Sequence, residues 1–369
     1  MSDIASRQRL RPASVQLPVA WYFDAELFEL EKKLLFEAGP NYIGHERMVP
    51  KRGDYHAISW LRNAKVLVKN DSGIELLSNV CRHRQSILLE GRGNVPDIVC
   101  PLHRWTYDLS GDLLGAPHFA ESPCVKLAST PLTEWSGLLF AGPRDPRKDL
   151  AGLSLAGDFD FGGYMLDKVL IDDYPVNWKT FLEVYLELYH VEPYHPGLGN
   201  FADASNFRIE YGEQWSIQEV AAKSGLAKPG TKTYEKWHDV CLRYLDGKAP
   251  KYGALWMTYF PNVMLEWYPN VLVVSTVLPR TPMLTTNVVE FYYPEDIALF
   301  EREFVEAQQA AYMETALEDG ELCARMDAGR RALYEQGLED AGPYQSPMED
   351  TMVHFHEWIR ARLGRPALR

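Results

Sequence analysis

Four residues in two short runs have the types and spacing to share one inorganic centre: Cys81-Arg82-His83 and Cys100-Pro101-Leu102-His103, with sixteen residues between the runs. Two thiolates and two imidazoles suit a [2Fe–2S] cluster that has both cysteines on one iron and both histidines on the other. Neutral imidazoles in place of two thiolates raise the reduction potential, so such a centre accepts an electron from a soluble carrier and passes it on. Zinc takes the same donor set, and a structural zinc site is the alternative. Zinc signatures, however, put two cysteines first and two histidines second, whereas each run here supplies one of each.

The flanks of these runs resemble a known family. Cys100-Pro-Leu-His-Arg-Trp-Thr-Tyr-Asp-Leu-Ser-Gly111 resembles the second cluster loop of Rieske non-haem iron oxygenases, Cys-Pro-x-His-x-Trp-x-Tyr/Phe-Asp followed by a glycine. Arg104 stands where a glycine is common. Gln85 and Ser86 occupy the region in which Rieske proteins of respiratory cytochrome bc complexes carry an added cysteine, so the resemblance is to the low-potential oxygenase type. By that resemblance Cys81, His83, Cys100 and His103 hold the Rieske cluster.

A second constellation lies downstream in Asn177-Trp-Lys-Thr-Phe-Leu-Glu-Val-Tyr-Leu-Glu187-Leu-Tyr-His190-Val-Glu-Pro-Tyr-His195. A helix is expected over 177–192, and Glu187 and His190, three apart, share one of its faces. Pro193 ends that helix, which lets His195 turn back toward the same point. Two histidines and a carboxylate with open positions make the facial triad of non-haem Fe(II) oxygenases. Two histidines at a helix end, taken in isolation, more often serve as hydrogen-bonded structural groups; the cluster motif upstream reverses that preference. The segment resembles the mononuclear-iron helix of the same oxygenases: Asn-Trp-Lys, then an acid, two residues, His, four residues, His.

That resemblance implies further assignments. The third iron ligand is an aspartate late in the chain, and Leu317-Glu318-Asp319 through Gly329 fits its setting; Asp319 is assigned, Asp327 is the fallback, and Glu318 and Glu321 read as a solvated helix face. Glu187 is implied to bridge the Rieske histidine of one subunit, His103, to the iron-bound His190 of its neighbour, with Glu183 a lesser candidate. Electron transfer between subunits implies a head-to-tail homotrimer. Glu at this position, within Tyr-Leu-Glu-x-Tyr-His, is closest in wording to the branch acting on quaternary ammonium compounds, although that branch usually has Asn where Val184 stands.

These residues need two kinds of scaffold. Residues 24–38 have helical apolar spacing with Asp24 as N-cap, and residues 1–20 read as an unstructured arm. From 41 to about 145 the text is strand-like, with YHAISWLR, AKVLVKN and GLLFAG as short runs; 142–148 is a linker candidate. Strands follow at 254–261, 263–267, 271–278 and 285–293, then helices at 295–336, interrupted, and 348–363. Residues 200–250 read as polar and variable. The expected fold class is α+β: a Rieske [2Fe–2S] all-β domain at 41–148, preceded by an arm and helix over 1–40, and a helix-grip catalytic domain of antiparallel sheet and long helices at 149–369.

The chain has 369 residues, 46% apolar and 12% aromatic, with net charge −13 and five cysteines. The length suits two cores. The charge argues against nucleic acid, and the unpaired cysteine count argues for a reducing, cytoplasmic setting. No secretory signal or membrane span is expected. The resemblance implies a terminal oxygenase component that uses O2 to hydroxylate or oxidatively demethylate a small molecule, a quaternary ammonium compound being preferred and an aromatic ring being the alternative. A Rieske electron-transfer subunit without working mononuclear iron is the alternative of another class. With no flavin or dinucleotide signature visible, electrons from NAD(P)H must arrive through a separate reductase, with or without a ferredoxin. Arg82, Arg84, Arg92 and Arg104 give an acidic carrier a docking surface. Trp256, Tyr259, Phe260, Trp267 and Tyr268, with Tyr211, Trp215 and Trp237, are candidate pocket aromatics. Glu266 would neutralise a cationic substrate if its face of the strand turned inward.

Overall fold

The computed structural model describes residues 16–364. In the cluster-bearing part, strands Asp54–Ala57, Lys65–Lys69 and Ile74–Ser78 pair antiparallel, flanked by Arg92–Asn94 and Ser129–Thr130. A smaller sheet of Ile98–Val99, Thr106–Tyr107 and Leu113–Gly115 carries the second cluster loop. Val66, Val68, Leu77, Ile98, Tyr107 and Leu127 form the core beneath both cysteines. The run YHAISWLR is strand only to Ala57. It then turns through Ser59–Leu61, because Arg62 and Asn63 take left-handed backbone (φ 55° and 56°), which no strand tolerates.

A seven-stranded antiparallel sheet dominates the rest of the chain. Its order is Tyr164–Tyr174, Leu284–Pro294, Val271–Thr281, Val263–Tyr268, Ala254–Tyr259, Trp215–Ala222, Ala202–Tyr211. The last two strands and the helix Lys232–Tyr244 fall within the stretch that reads as polar and variable; the edge strand Ala202–Tyr211 and the amphipathic helix show polar residues to solvent, whereas the strand Trp215–Ala222 buries Ser216 and Gln218. One face of the sheet packs on helices, including the long helix Arg302–Glu335. The other face (Trp215, Leu255, Met257, Leu265, Leu272) packs on Tyr42, Leu138 and Phe140 from the cluster-bearing part. The sheet therefore stands between its own helices and its own cluster unit.

Segment 142–148 is not a loose tether. Asp145 caps a short helix Pro146–Asp149, Arg144 pairs with Asp149 at 2.8 Å, and Tyr259 donates to the same carboxylate at 2.6 Å. Residues 16–20 do not form an arm either: Leu17 and Val19 are buried, and Leu17, Trp21 and Tyr22 join the core around Trp178 and Phe355. Residues 1–15 of the expected arm lie outside the described residues. The helix Ala25–Glu31, capped by Asp24, continues as a π-turn to Phe36. It reaches across to the second site: Glu31 accepts from Trp178 Nε1 at 2.8 Å and from Lys179 Nζ at 2.6 Å, all buried. Asn177 caps the helix of Trp178 and ties it to the carbonyls of Tyr22 and Pro282. The Asn-Trp-Lys run is thus the clamp that sets where the helix begins.

Candidate metal centres

The two cluster runs fold as a matched pair of tight loops. Cys81 N–H donates to Ser86 O and Gln85 N–H to Cys81 O; Cys100 N–H donates to Trp105 O and Arg104 N–H to Cys100 O. Gln85 and Arg104 occupy the same place in each loop, and both have left-handed backbone (φ 55° and 61°). That conformation explains why glycine is common where Arg104 stands. The cysteines are buried, His103 is exposed, and the two imidazoles are 4.7 Å apart between centroids. His83 stacks on Trp105 at 4.8 Å, and its Nδ1 is buried with no hydrogen-bond partner. Tyr107 hydroxyl accepts from Arg82 N–H at 3.1 Å and lies 3.5 Å from Cys81 Sγ. Two thiols and two imidazoles with an unused ring nitrogen fit an iron–sulfur cluster. Arg82, Arg84, Arg92 and Arg104 are all exposed around these loops.

The helix of the second constellation is shorter than its spacing suggests. It runs from Trp178 to Tyr185 and stops there; Glu187 and His190 lie in a turn, and Pro193 sits inside a second short helix, Val191–Tyr194. Glu187 itself makes the turn, its Oε2 accepting from the backbone N–H groups of Tyr189 and His190. Its Oε1 accepts from His190 Nδ1. Glu187 and His190 therefore meet through a turn and not along one helix face.

Asp319, on the long helix, projects between the histidines. Its Oδ1 is 3.4 Å from His190 Nε2 and 3.0 Å from His195 Nε2, and the three ligand atoms lie within 4.8 Å of one another. His195 Nε2 and Asp319 Oδ1 are both buried without a hydrogen bond. Two facing lone-pair atoms call for a proton or a cation between them. Burial pulls the His190 imidazole down, but Asp319 and Glu187 outweigh it and raise it to about 9. Burial pushes the Asp319 carboxyl up, and the two facing imidazoles more than reverse this, so it lies below its ordinary value. A divalent ion bound here displaces the protons these groups hold. The residues fit a two-histidine, one-carboxylate metal.

Glu318 belongs to this centre, contrary to its reading as a solvated helix face: its Oε2 accepts from His195 Nδ1 at 2.6 Å. Each histidine thus has a carboxylate behind it, Glu187 for His190 and Glu318 for His195, which fixes the ring and leaves Nε2 for metal. No sequence signal marks Glu318, because neighbours on a helix point about 100° apart and only the fold brings His195 to that side. Asp327, the fallback ligand, is used elsewhere: it accepts from Asn177 N–H and Thr180 hydroxyl. Glu183 is likewise committed, to Arg330, His356 and Tyr22. His354 and His356 bond Gly212 O and Glu183, as structural histidines do.

The centre opens into a cavity of about 1080 Å³, its mouth included. Glu266 points into it, with Met264 and Tyr268 on the same face of their strand; Trp237 and Trp256 also line it. Trp215, Tyr259 and Trp267 face the opposite core, Phe260 packs near Trp358, and Tyr211 is exposed beside His354.

Residues 40–131 match the family model of the Rieske [2Fe-2S] domain, and residues 161–365 that of the ring hydroxylating alpha subunit, catalytic domain. The chain is 61% identical to a putrescine 2-hydroxylase of Ralstonia nicotianae over 98% of its own length and 99% of that protein's. It is 51% identical to a putrescine 2-hydroxylase of Bordetella bronchiseptica, covering 99% of this chain and 88% of the relative. Among solved structures it resembles a quaternary ammonium Rieske monooxygenase described with insights into carnitine oxidation and inter-subunit electron transfer, with a TM-score of 0.73, 20% identity, and coverage of 95% of this chain and 96% of that one.

Proposed function

The chain belongs to the Rieske ring-hydroxylating alpha subunits, and from that premise we propose that it hydroxylates putrescine, or a closely related alkyl diamine, at C2. It is a terminal oxygenase that carries a Rieske [2Fe–2S] cluster and mononuclear iron and takes its electrons from a reductase system. The proposed net reaction is R–H + O2 + 2 e⁻ + 2 H⁺ → R–OH + H2O. One observation carries the diamine reading. Asp172, Glu187, Glu266 and Asp319 line the cavity, and among the described residues no lysine or arginine does. A cavity with acidic side chains among aromatic, aliphatic and neutral polar ones recruits a cation. The relatives named putrescine 2-hydroxylases favour a primary ammonium over the quaternary one preferred on motif wording.

In this reading Cys81, His83, Cys100 and His103 hold the cluster, and His190, His195 and Asp319 hold the iron, which supplies oxygen activation when bound. Glu187 and Glu318 orient the two histidines. The cluster-bearing unit is 41–148 and the oxygen-activating unit 149–369. The seven-stranded sheet lies between the triad and the same chain's cluster unit, which supports transfer from a neighbouring subunit. Exposed Leu102 beside His103, and exposed Tyr189 beside Glu187, suit such a contact in a homotrimer. The exposed arginines around the cluster suit an acidic carrier. Among the described residues no helix is long and apolar enough to cross a membrane, and the acidic chain suits the cytoplasm.

The test is a single turnover. Protein with both centres reduced is mixed with ¹⁸O2 and putrescine, and 2-hydroxyputrescine carrying one ¹⁸O is expected. Cluster reoxidation without a hydroxylated diamine overturns the substrate reading.

A further inference from the structure

Glu266 is a carboxylate only 3% exposed, and among the described residues no cation pairs with it. Its Oε2 accepts from Tyr268 hydroxyl at 2.7 Å and its Oε1 from Tyr312 hydroxyl at 3.1 Å. Tyr268 oxygen in turn accepts from Trp256 Nε1 at 2.8 Å, and Tyr312 lies 3.3 Å from Ser275 Oγ. Tyr185 hydroxyl, which feels the Glu266 charge, is buried with no hydrogen-bond partner among the described residues. Burying an acid this deep is costly unless a counter-charge arrives, and two tyrosine donors only partly offset that cost. The tyrosines fill two of the roughly four acceptor sites of the Glu266 carboxylate, and the Tyr185 hydroxyl is unused, so the group can accept more hydrogen bonds. A primary ammonium has three N–H donors to give; a quaternary ammonium has none.

The long helix sets the distance from this group to the iron ligands. Tyr312 and Asp319 are seven residues apart, two turns on one face, about 10 Å along the axis. Gly320, one residue past Asp319, faces the ring of Tyr174, and Tyr174 lies near Asp172, an exposed residue of the cavity wall. Along the helix the order is therefore the Glu266 group, the iron ligand, then the exposed side.

Resting on the diamine reading above, we propose that Glu266 with Tyr185, Tyr268 and Tyr312 anchors one primary ammonium of the substrate at the closed end of the cavity, so that the length of alkyl chain from that nitrogen decides which carbon is oxidised. Burial holds the empty Glu266 carboxyl up at about 7 against the tyrosine hydrogen bonds, and a bound ammonium favours the ionised form. A trimethylammonium head has no N–H to give, so it would leave the Tyr185 hydroxyl and the remaining acceptor sites of Glu266 unused.

The anchor is tested on the holoenzyme with putrescine by anaerobic calorimetry. Glu266→Gln keeps the shape and removes the charge, and is expected to weaken binding by about 10- to 100-fold, the cost of a hydrogen-bonded charge. An unchanged Rieske spectrum and melting temperature separate this from misfolding. Tyr312→Phe, which removes one donor to Glu266, should weaken binding several-fold. Cadaverine should give one regioisomer with the unsubstituted enzyme and a mixture with Glu266→Gln. If the unsubstituted enzyme hydroxylates putrescine while Glu266→Gln binds it within twofold of normal, the anchor is wrong and the diamine reading stands. If the unsubstituted enzyme binds no diamine, both fall.

Discussion

Replacing Glu318 with alanine isolates the least expected member of the proposed iron site. His195 is 1% exposed at its side chain and Glu318 27%. The substitution leaves Nδ1–H of a buried ring without its acceptor, which costs about 1–3 kcal/mol. The partial exposure of Glu318 admits some water to the gap, so the lower half of that range applies. At 1.4 kcal/mol per tenfold, mononuclear Fe(II) should bind about tenfold more weakly, within the 10- to 100-fold span typical of carboxylates behind metal-bound histidines. The assay is retention of mononuclear iron per cluster during titration with a ferrous chelator. The cluster absorbance gives the protein concentration and should not change. Glu318→Gln keeps an acceptor and should fall between. Glu321→Ala, on the same helix with only a 3.3 Å contact to Tyr194 hydroxyl, is the control and should leave retention unaltered. Equal retention by Glu318→Ala and Glu321→Ala would falsify the argument that the buried imidazole depends on its carboxylate.

Other outcomes follow from the same geometry. Tyr107→Phe removes a hydroxyl 3.5 Å from Cys81 Sγ; a hydrogen bond of about 1 kcal/mol lost from the reduced cluster lowers a one-electron potential by about 40 mV, read by redox titration, and a shift in the opposite direction contradicts the assignment. Glu187→Gln should leave both metals bound yet slow reoxidation of the cluster in single turnover by an order of magnitude or more, and an unchanged rate removes its bridging role. Glu183 is buried; burial pushes its carboxyl up, but Arg330 and hydrogen bonds from His356 and Tyr22 bring it down to about 2. Because the folded value is depressed, its stabilisation is complete above the ordinary carboxylate range and is lost as pH falls toward 2. Glu183→Gln should cost about 3–5 kcal/mol at neutral pH, as for a broken buried pair, and should flatten the acid limb of a denaturation curve. An acid limb as steep as that of the unsubstituted protein counts against it.

The chemistry was more legible in the sequence than the shapes that deliver it. Cysteine, histidine and aspartate announce themselves because few other roles use them at such spacings, and the strands 254–293 are legible because their apolar runs are long. What stayed hidden depends on chain segments distant in sequence. Glu187 and His190 meet through a turn, since hydrogen bonds donated by the Tyr189 and His190 backbone N–H groups to the Glu187 carboxylate override the helical spacing. Glu318 looks like solvent-facing charge until His195 arrives beside it. The side of the sheet on which Glu266 lies follows from which face the helices cover, and alternation alone leaves both faces equivalent. The two strands and the helix within 200–250 are obscured by polar residues, which the edge strand and the helix show to solvent and the inner strand buries at Ser216 and Gln218.

The clamp between Glu31 and the Trp178–Lys179 pair changes what counts as a transplantable piece of this protein. Residues 16–36 pack within the half that carries the His190–His195–Asp319 site; the chain leaves it near residue 40 to build the cluster-bearing half and returns near 146. The cluster unit is topologically an insert, a cassette held at both ends by the body it serves. A graft that exchanges the cassette between relatives keeps residues 16–36 with the recipient, where Leu17, Trp21, Tyr22, Phe28 and Glu31 already complete its interior. A cut at 148 would instead strand Lys179 as an unpaired charge in a hole left by the missing helix.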